Sequence, residues 1–261
     1  MRSLGRIAIF GCGPAGLIAA YAAEELGHNV VIYSQKVKST IFGAQYLHKP
    51  IPGISPEEPE LEINVKKFGT RAGYAANVYG DPKAEVSWDK FNGGPTPGWD
   101  LKRIYDTLWE QYEEDIIDVA LSSSYIAKLA ANFDLTFSTI PIQMFCKRPM
   151  HTFAKIDIWV VHGPLEGKAA ENVMVYNGII ADVPDWYRYS LIRGYQSWEF
   201  SLKNRTEDLY VTQGLQVNHG IKPLGTNCNC HPEIIRLGRF GKWNKHVFTH
   251  HAYDEVRNAL L

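Results

Sequence analysis

The sequence predicts an α/β fold, in which a parallel sheet with packed helices is joined to a smaller, mostly β domain. An apolar run at 6–10, an Ala- and Leu-rich segment at 17–26 and a β-branched run at 29–33 form one βαβ unit. The strands of such a unit are parallel, and its crossover is almost always right-handed. Later segments alternate as strands do. With 261 residues, the chain is long enough for one large domain or two interleaved ones.

The elements follow in order from their residue patterns. The strand at 6–10 is apolar throughout, as in sheets buried on both faces, and the first helix stops before Gly27. Four prolines between 49 and 60 exclude a regular helix there. Further strands are predicted at 62–90, 134–140, 153–180 and 196–202, an amphipathic helix at 100–114 after a breaker at 92–98, and a terminal helix at 248–261.

Composition excludes several classes of protein. Lys and Arg number 27 against 28 Asp and Glu, so a generic binder of the nucleic-acid backbone is disfavoured, while a local contact with DNA stays open. No run of about 18 apolar residues occurs, and we expect no membrane span. Four cysteines in a chain of this length indicate a reducing, cytoplasmic compartment rather than a disulfide framework.

A glycine motif joins the first strand to the first helix. In Gly11-x-Gly13-x-x-Gly16, the first glycine makes a tight turn, the second lets the backbone approach a pyrophosphate, and the third lets helix and strand pack closely. The helix beginning at Pro14 and Ala15 offers unpaired N–H groups to the phosphates. In this βαβ context the motif predicts a Rossmann-like dinucleotide site.

The residue expected to bind the ribose departs from the usual pattern. Asp or Glu normally ends the second strand, whereas here Ser34 is followed by Gln35 and Lys36. A hydroxyl can still bond a ribose, but Ser34 with Lys36 and Lys38 could instead accept the 2′-phosphate of NADP. The residues alone therefore leave open which dinucleotide binds.

Three segments carry a resemblance to known flavoproteins. Gly-Cys-Gly-Pro-Ala-Gly-Leu at 11–17 resembles the FAD-binding start of the glutathione-reductase type. The segment 133–141, ending in Thr-x-Pro, is similar to the strand that closes the FAD domain in amine oxidases and UDP-galactopyranose mutases, and 237–243 resembles their late Gly-Arg segment. The resemblance implies FAD as the cofactor, with further contacts from Thr139, Pro141, Gly238, Arg239, Phe240, Gly241 and Trp243.

The resemblance also implies a division of the chain. A discontinuous, Rossmann-like FAD-binding domain would comprise 1–49, 100–145 and 225–261, and a small, mostly β substrate domain would comprise 50–99 and 146–224. Ser34 departs from the acidic residue of the family, and the chain is far shorter than typical members. Compact versions resemble bacteriophage flavoproteins, some of them tied to thymidine hypermodification.

Two segments supply candidate site residues. After the second strand, where the chain of the family turns toward the flavin, the resemblance implies contacts from Gly43, Ala44, Gln45, Tyr46 and His48; the alternative is a surface loop. The segment 185–190 resembles the arginine-bearing strand that faces substrate in the mutases. Arg188 would hold an acidic substrate group, Tyr187 and Tyr189 would line the pocket, and Glu199 could face it; the alternative is a core strand.

A cysteine- and histidine-rich region has the right residue types for zinc. Cys228, Cys230 and His231 precede three further histidines, His246, His250 and His251. A single residue between the cysteines is shorter than the usual knuckle spacing, and the adjacent histidines point to different helix faces. We therefore expect no metal site, and we expect Cys12 to be a small buried side chain.

These observations predict an amine-oxidase-like FAD-dependent oxidoreductase. Hydride would pass to flavin from a C–H beside nitrogen in an amine or amino acid, and an amino-acid-modified nucleotide in phage DNA is one candidate substrate. The alternatives are a non-redox flavin-dependent mutase or lyase, an NADP-dependent reductase and a non-catalytic dinucleotide-binding module. The expected partners are a small-molecule or nucleotide substrate, a local stretch of DNA and a second copy in a homodimer, with no membrane.

Overall fold

The structure is a computed structural model that describes residues 5–86, 88, 95–165, 171–179, 186–201 and 215–261. In chain order the described elements are β1 Arg6–Phe10, α1 Pro14–Glu25, β2 Asn29–Ser34, β3 Tyr46–Leu47, β4 Leu61–Gly69, α2 Arg71–Tyr79, β5 Thr96–Asp100, α3 Leu101–Tyr112, β6 Ile116–Asp118, α4 Ser123–Ala130, β7 Leu135–Ser138, β8 Phe153–Pro164, β9 Asn172–Gly178, β10 Trp186–Ile192, β11 Tyr195–Ser201, β12 Gln216–Thr226, β13 Ile235–Arg236, α5 Gly238–Gly241 and α6 His251–Leu260.

The first sheet is parallel and has the order β13-β7-β1-β2-β6. Ile7 and Ile9 of β1 pack with α1, α3 and α6 on one face, while Ala8 and Phe10 pack with Ile126 of α4 on the other. Both faces of β1 are therefore buried, which explains its uninterrupted apolar sequence. The predicted α/β class with a parallel sheet is confirmed.

The second sheet has the order β12-β8-β11-β10-β9-β4-β5-β3. Its strands pair antiparallel, except that β4 runs parallel to β9. Residues of its inner face, among them Ile63, Ile158, Val160 and Met174, form a separate core cluster with Tyr74 and Val78 of α2. Among the described residues, the chain passes from one sheet to the other after β2, β5, β7 and β12.

The prediction of strands throughout 62–90 was wrong in part. After β4 the chain forms α2, which begins at Thr70, whose side chain accepts a hydrogen bond from the Gly73 amide. The helix ends at Gly80, which has a φ of 69°. Tyr74 and Val78 fall on the buried face at helical spacing, a pattern that the aromatic content of the segment obscured.

The structure also differs from the prediction at 92–98 and in two elements that were not predicted. The breaker at 92–98 falls partly outside the described residues, and its end forms β5, a strand that tolerates Pro97 in its second position. The strand β12 and the helix α4 were not predicted. Among the described residues, no helix combines the length and the apolar character needed to cross a membrane.

Candidate functional site

The turn between β1 and α1 has the geometry of a phosphate-binding loop. Gly11 has a φ of 103°, in the left-handed region that favours glycine. A Cβ on Gly16 would lie 1.9 Å from the carbonyl oxygen of Gly11, so this position admits no side chain. A Cβ on Gly13 would meet only Ser39 Oγ, 3.8 Å away. The middle glycine thus faces open space at the start of α1. Pro14 has no N–H, and the Gly16 amide donates to the Gly13 carbonyl oxygen at 2.8 Å, so Ala15 is the first-turn residue whose amide is left for a ligand.

Two later segments of the chain border this loop. Thr139, just after β7, directs both its amide and its hydroxyl to the carbonyl oxygen of Phe10, at 2.9 and 3.2 Å. Gly238 has a φ of 67°, and a Cβ there would lie 3.0 Å from Cβ of Ala15. Gly241 lies equally close to the backbone, because its Cβ would be 2.6 Å from the carbonyl oxygen of Ser138. The structure therefore brings Thr139 and the segment 238–241 to the glycine turn.

The side chain of Arg239, on this segment, has no partner among the residues that the structure describes. Its side chain is half-buried, and it makes no hydrogen bond or ion pair with any residue that the structure describes. Burial lowers the pKa of Arg239, and the positive charge of Arg188 lowers it further, while Glu199 acts in the opposite direction. A partly desolvated cation of this kind is a binding group for an anion.

The end of β2 has the hydroxyl that the sequence placed there, with a carboxylate beside it. The parallel register pairs Ser34 with Asp118 on β6, and Asp118 Oδ1 accepts the Lys36 amide at 3.0 Å. The Gln35 carbonyl oxygen lies 3.4 Å from Cys12 Sγ, which ties this segment to the glycine turn. Asp118 was missed because only the pairing of two strands 80 residues apart brings it to Ser34.

The two lysines after β2 are both engaged with carboxylates. Lys36 Nζ lies 3.6 Å from Glu114 Oε1, and Lys38 Nζ lies 2.8 Å from Asp106 Oδ1. The NADP interpretation needs these cations for a 2′-phosphate. In this structure Lys36 instead lies near Glu114, just after α3, and Lys38 pairs with Asp106 on the side of α3.

Tyr105 of α3 supports the phosphate-binding loop from below. This buried side chain donates its hydroxyl proton to the Cys12 carbonyl oxygen at 3.1 Å and accepts the Ser39 amide at 2.9 Å. The sequence identified Tyr105 only as one of the apolar positions of an amphipathic helix. Its polar contacts depend on the packing of α3 against the loop, which residue spacing does not reveal.

A buried network of charges lies on the inner face of the second sheet. Arg188 on β10 and Glu199 on β11 are directly opposite in the antiparallel register and form an ion pair. Lys222 Nζ, from β12, lies 2.5 Å from the other carboxylate oxygen of Glu199. The same ammonium group lies 4.4 Å from the ring centroid of Tyr187, which is fully buried. Lys222 was missed because β12 itself was not predicted.

The charges in this network set the pKa values of its members. Burial alone would raise the pKa of Glu199, but Arg188 and Lys222 lower it to about 2. Burial lowers the pKa of Lys222 to about 8, because Glu199 offsets only part of this effect. Glu199 also holds the pKa of Arg188 above its usual range in spite of burial. Arg188 and Lys222 share this one carboxylate, and Arg239 lies within electrostatic reach of it, so the group has an excess of positive charge.

The loop after β2 lies against this network. A Cβ on Gly43 would be 3.7 Å from Glu199 Oε1 and 3.8 Å from Arg188 Nη2. Tyr46 is buried within electrostatic reach of Arg188, and burial raises its pKa. Ala44 packs against the core of the second sheet. Of the residues that the resemblance placed near a flavin, Gly43 and Tyr46 are the two closest to the charged groups.

Other predicted residues of this loop have different surroundings. Gln45 donates to the Ile41 carbonyl oxygen at 2.8 Å and so holds its own loop together. The ring of His48 lies 4.8 Å from that of Tyr46 and 4.7 Å from that of Phe248. His48 is therefore separated from the charged network by the Tyr46 ring.

Two residues assigned to the site, Tyr189 and Trp243, lie apart from it. Tyr189 alternates with Arg188 along β10 and packs on the outer face, with its ring centroid 4.1 Å from that of Trp198. Trp243 is fully buried, with its indole donating to the Ala154 carbonyl oxygen at 2.9 Å. Phe240 is 39% exposed. We therefore place Tyr189 and Trp243 in packing roles, because the strand alternation and the burial remove them from the network. Asp185 lies outside the described residues.

The histidines near the carboxyl end form no group with Cys228 and Cys230. The His250 ring packs between those of Phe248 and His251. Burial lowers its pKa to about 4, helped by the neighbouring His251 and His48. His231 lies near the cysteines, but its ring nitrogens face Glu233 Oε1 at 3.0 Å and Ser123 Oγ at 3.4 Å.

Comparison with known proteins rests on structure. No protein-family model matches the chain, and no curated protein matches its sequence. A geranylgeranyl bacteriochlorophyll reductase-like protein from Thermoplasma acidophilum is similar, with a TM-score of 0.56 and 11% identity over 98% of this chain and 76% of that one. HpxO of Klebsiella pneumoniae, complexed with FAD and uric acid, has a TM-score of 0.54 and 13% identity over 98% and 79% of the two chains.

A third solved structure, CtdE in complex with FAD, has a TM-score of 0.53 and 14% identity over 98% of this chain and 83% of that one. The chain shares the overall fold of these three proteins. At these identities the similarity shows the fold alone. The predicted α/β class, with a Rossmann-like parallel sheet joined to a mostly β part, is confirmed.

Proposed function

We propose that this protein binds FAD and is an FAD-dependent oxidoreductase acting on a substrate with an anionic group. The observation that carries the proposal is the open face of Gly13 at the start of α1, in a turn bordered by Thr139 and the segment 238–241, in a fold that similar proteins use to hold FAD. A pyrophosphate needs backbone amides, a nearby cation and space without side chains. The turn offers the amides and the space, and we propose that Arg239, next to Gly238, supplies the cation.

The residues present fit this cofactor. Gly11, Gly13 and Gly16 would form the turn under the pyrophosphate, Arg239 would neutralise part of its charge, and Ser34 with Asp118 would face the ribose at the carboxyl edge of the sheet. Thr139 and Gly238 would keep the loop closed from the side. A bound flavin supplies the two-electron redox chemistry, while the protein supplies position and electrostatics.

The charged network fits the role of substrate binding. Arg188 offers a planar fork that matches a carboxylate or phosphate, and Lys222 offers a second cation at the same face of the sheet. Glu199 holds both cations in place and keeps them charged through their ion pairs. Tyr187 forms an apolar wall under the Lys222 ammonium and excludes water from it.

The amine-oxidase-like form of this chemistry follows from the resemblance of the sequence. We propose an amine or amino acid as the substrate, with hydride leaving a C–H beside nitrogen and with the acidic group of the substrate held by Arg188. As part of the same proposal, a modified nucleotide is a candidate substrate, the protein makes a local contact with DNA, and two copies form a homodimer. A non-redox mutase or lyase is distinguished by turnover that requires reduced flavin without consuming reductant.

The experiment that tests cofactor binding is a visible absorption spectrum of the purified protein, followed by mass spectrometry of the released cofactor. We expect a yellow protein that releases FAD. A colourless protein that stays colourless after FAD is added, yet binds NADPH, would overturn the proposal in favour of an NADP-dependent reductase. Since Lys36 and Lys38 are paired with carboxylates, that outcome is not expected.

The role of Arg239 has its own test. The Arg239→Gln variant should bind FAD about 10- to 150-fold more weakly, because a charged hydrogen bond contributes roughly 1.5–3 kcal/mol. Its apo stability should not fall, because the guanidinium has no partner to lose among the described residues. Equal FAD affinity of variant and wild type would remove Arg239 from the cofactor site.

The substrate class is tested by anaerobic reduction of the flavin. Amines with and without a carboxylate or phosphate should be compared, with reduction followed by loss of the flavin absorbance. We expect reduction by the anionic members alone. The Arg188→Ala variant should raise KM sharply while flavin stays bound, and unchanged kinetics would exclude Arg188 from substrate binding.

A further inference from the structure

Three of the four cysteines of the chain meet at one place outside the candidate flavin site. Cys146 and His151 lie between β7 and β8, and Cys228 and Cys230 lie between β12 and β13. One donor atom from each of these four residues lies within 4.8 Å of the others. All the cysteines are free thiols. Cys228 is buried and the other three residues are partly buried, so the cluster is not a chance meeting of exposed side chains.

The spacing of the donor atoms matches a tetrahedral metal centre. With zinc–sulfur bonds of about 2.3 Å and zinc–nitrogen bonds of about 2.0–2.1 Å, two sulfurs would be about 3.8 Å apart and a sulfur and a nitrogen about 3.6 Å apart. Here Cys230 Sγ lies 3.9 Å from Cys146 Sγ and 3.6 Å from His151 Nδ1. Cys146 Sγ lies 3.1 Å from the same nitrogen. Two of these three edges match those of a zinc tetrahedron and the third is about 0.5 Å shorter, while Cys228 Sγ lies within 4.8 Å of the other three donors.

The backbone around the cluster is held by its own contacts. Arg236 of β13 donates to the carbonyl oxygens of Cys228 and Cys230, at 2.8 and 2.6 Å. Across the cluster, the Thr152 amide donates to Asn227 Oδ1 at 2.8 Å. The two segments that carry the donors are therefore fixed relative to each other before any ion binds, and ligand geometry that is already formed lowers the ordering cost of binding.

We propose that Cys146, His151, Cys228 and Cys230 form a structural zinc site. Three thiolates and one imidazole fill all four positions of a tetrahedron, which is the closed arrangement of structural rather than catalytic zinc. Binding displaces the three thiol protons to solvent and leaves an overall charge of −1 on the centre. The Arg236 guanidinium beside the loop complements this negative charge.

The site has a defined place in the fold. β8 begins at Phe153, two residues after His151, and β12 ends at Thr226, two residues before Cys228. Phe153 and Thr226 pair in the ladder between β8 and β12. The zinc ion would therefore hold together β8, where the chain enters the second sheet for the second time, and β12, after which it leaves that sheet. After β12 the chain continues through β13 to Gly238 and Arg239.

The proposal departs from the sequence-based expectation of no metal. The two cysteines at 228 and 230 were considered with His231, His246, His250 and His251 as partners, and that set has the wrong spacing. The structure replaces those histidines with Cys146 and His151, about 80 residues earlier in the chain. Only the packing of two distant segments brings the four ligands together. The number of residues between the ligands therefore did not indicate a metal site.

The first test is metal analysis of the purified full-length chain by inductively coupled plasma mass spectrometry. We expect one zinc ion per chain in the wild type and its loss in Cys146→Ser and in Cys230→Ser. His231→Gln and Cys12→Ser are matched controls, a neighbouring histidine and the one cysteine outside the cluster, and both should retain zinc. Replacement of zinc by Co²⁺ should produce the visible bands of a tetrahedral ion and a thiolate-to-metal charge-transfer band.

The outcomes that overturn the proposal are specific. The proposal is overturned if the wild type contains no zinc and shows no such bands with added Co²⁺, or if both serine variants retain zinc. Loss of zinc in His231→Gln, or a disulfide among these cysteines found by peptide mapping, would also overturn it. If the serine variants do not fold, zinc-edge X-ray absorption of the wild type decides. Three sulfur neighbours and one nitrogen neighbour support the site, and any other set contradicts it. Because these readouts need no flavin, they stay independent of the proposed function.

Discussion

Replacing Gly13 with alanine should separate cofactor binding from folding. The added Cβ would have Ser39 Oγ, at 3.8 Å, as its one close neighbour, which is an ordinary van der Waals distance. Gly13 has a φ of −68° and a ψ of 173°, a conformation that alanine adopts without strain. The apo protein should therefore keep its stability, or gain up to about 1 kcal/mol because the unfolded chain loses freedom.

Binding of FAD should respond in the opposite way. The methyl group would occupy the space through which a phosphate approaches the first-turn amides. Loss of a single charged hydrogen bond of this kind costs roughly 1.5–3 kcal/mol, equivalent to about a 10- to 150-fold rise in Kd. The affinity is measured by quenching of flavin fluorescence on titration of the apo protein, and the stability by urea denaturation of the same preparations.

Gly16→Ala is the matched control in the same turn. Its Cβ would lie 1.9 Å from the Gly11 carbonyl oxygen, so the turn must move, and overpacking of this kind costs roughly 1–3 kcal/mol of stability. The reasoning predicts a stable, non-binding Gly13→Ala and a destabilised Gly16→Ala. If Gly13→Ala bound FAD as the wild type does, the assignment of this turn to the pyrophosphate would be refuted.

The remaining predictions concern the second sheet. Glu199→Gln should destabilise the fold by roughly 3–5 kcal/mol in urea, because it leaves Arg188 and Lys222 buried without their carboxylate; Glu171→Gln, at an exposed ion pair, should change stability by less than about 0.5 kcal/mol. The stabilisation by the Glu199 carboxylate should be lost in the wild type as pH falls below 4.5 toward 2, and a flat profile there would contradict the assigned pKa. If Lys222 binds the anionic group of the substrate, kcat/KM should fall above about pH 8, where its ammonium loses the proton, and Lys222→Arg should remove this fall. Tyr189→Phe should leave KM and kcat unchanged, since Tyr189 packs against Trp198 on the outer face, and a large change in either would return it to the site.

The elements that the sequence predicted well are those whose signal is local. The run at 6–10, the glycine turn and the helix after it are each specified by neighbouring residues, and all three lie within one or a few residues of their predicted bounds. α2 was missed because a nine-residue helix that contains tyrosines and glycine has the composition of a strand. The strand β12 has Gly220, Pro223 and Gly225 within it, and these residues mask its alternation.

The charged network shows the same limit within the candidate site. Arg188 and Glu199 were both singled out from the sequence, and the antiparallel register of β10 and β11 places them opposite each other. Lys222 lies on β12, which is two strands from β11 and three strands from β10 in the sheet. No pattern along the chain connects Lys222 to Arg188 and Glu199. The register of β10 shifts between Trp186 and Arg188, which lets Tyr187 face the same network as Arg188. Beyond this irregularity neighbouring residues face opposite sides of the sheet, so Tyr189 points away.

The sequence by itself determined the βαβ unit and its phosphate-binding turn, because backbone requirements at three glycines and the burial of short apolar runs are properties of adjacent residues. The tertiary structure decided which distant side chains meet. It placed the segment 238–241 beside the glycine turn, Lys222 beside Glu199, Asp118 beside Ser34, and Cys146 with His151 beside Cys228 and Cys230. Each of these meetings depends on strand order and register, which are fixed by the packing of whole sheets and leave no period or spacing in the chain.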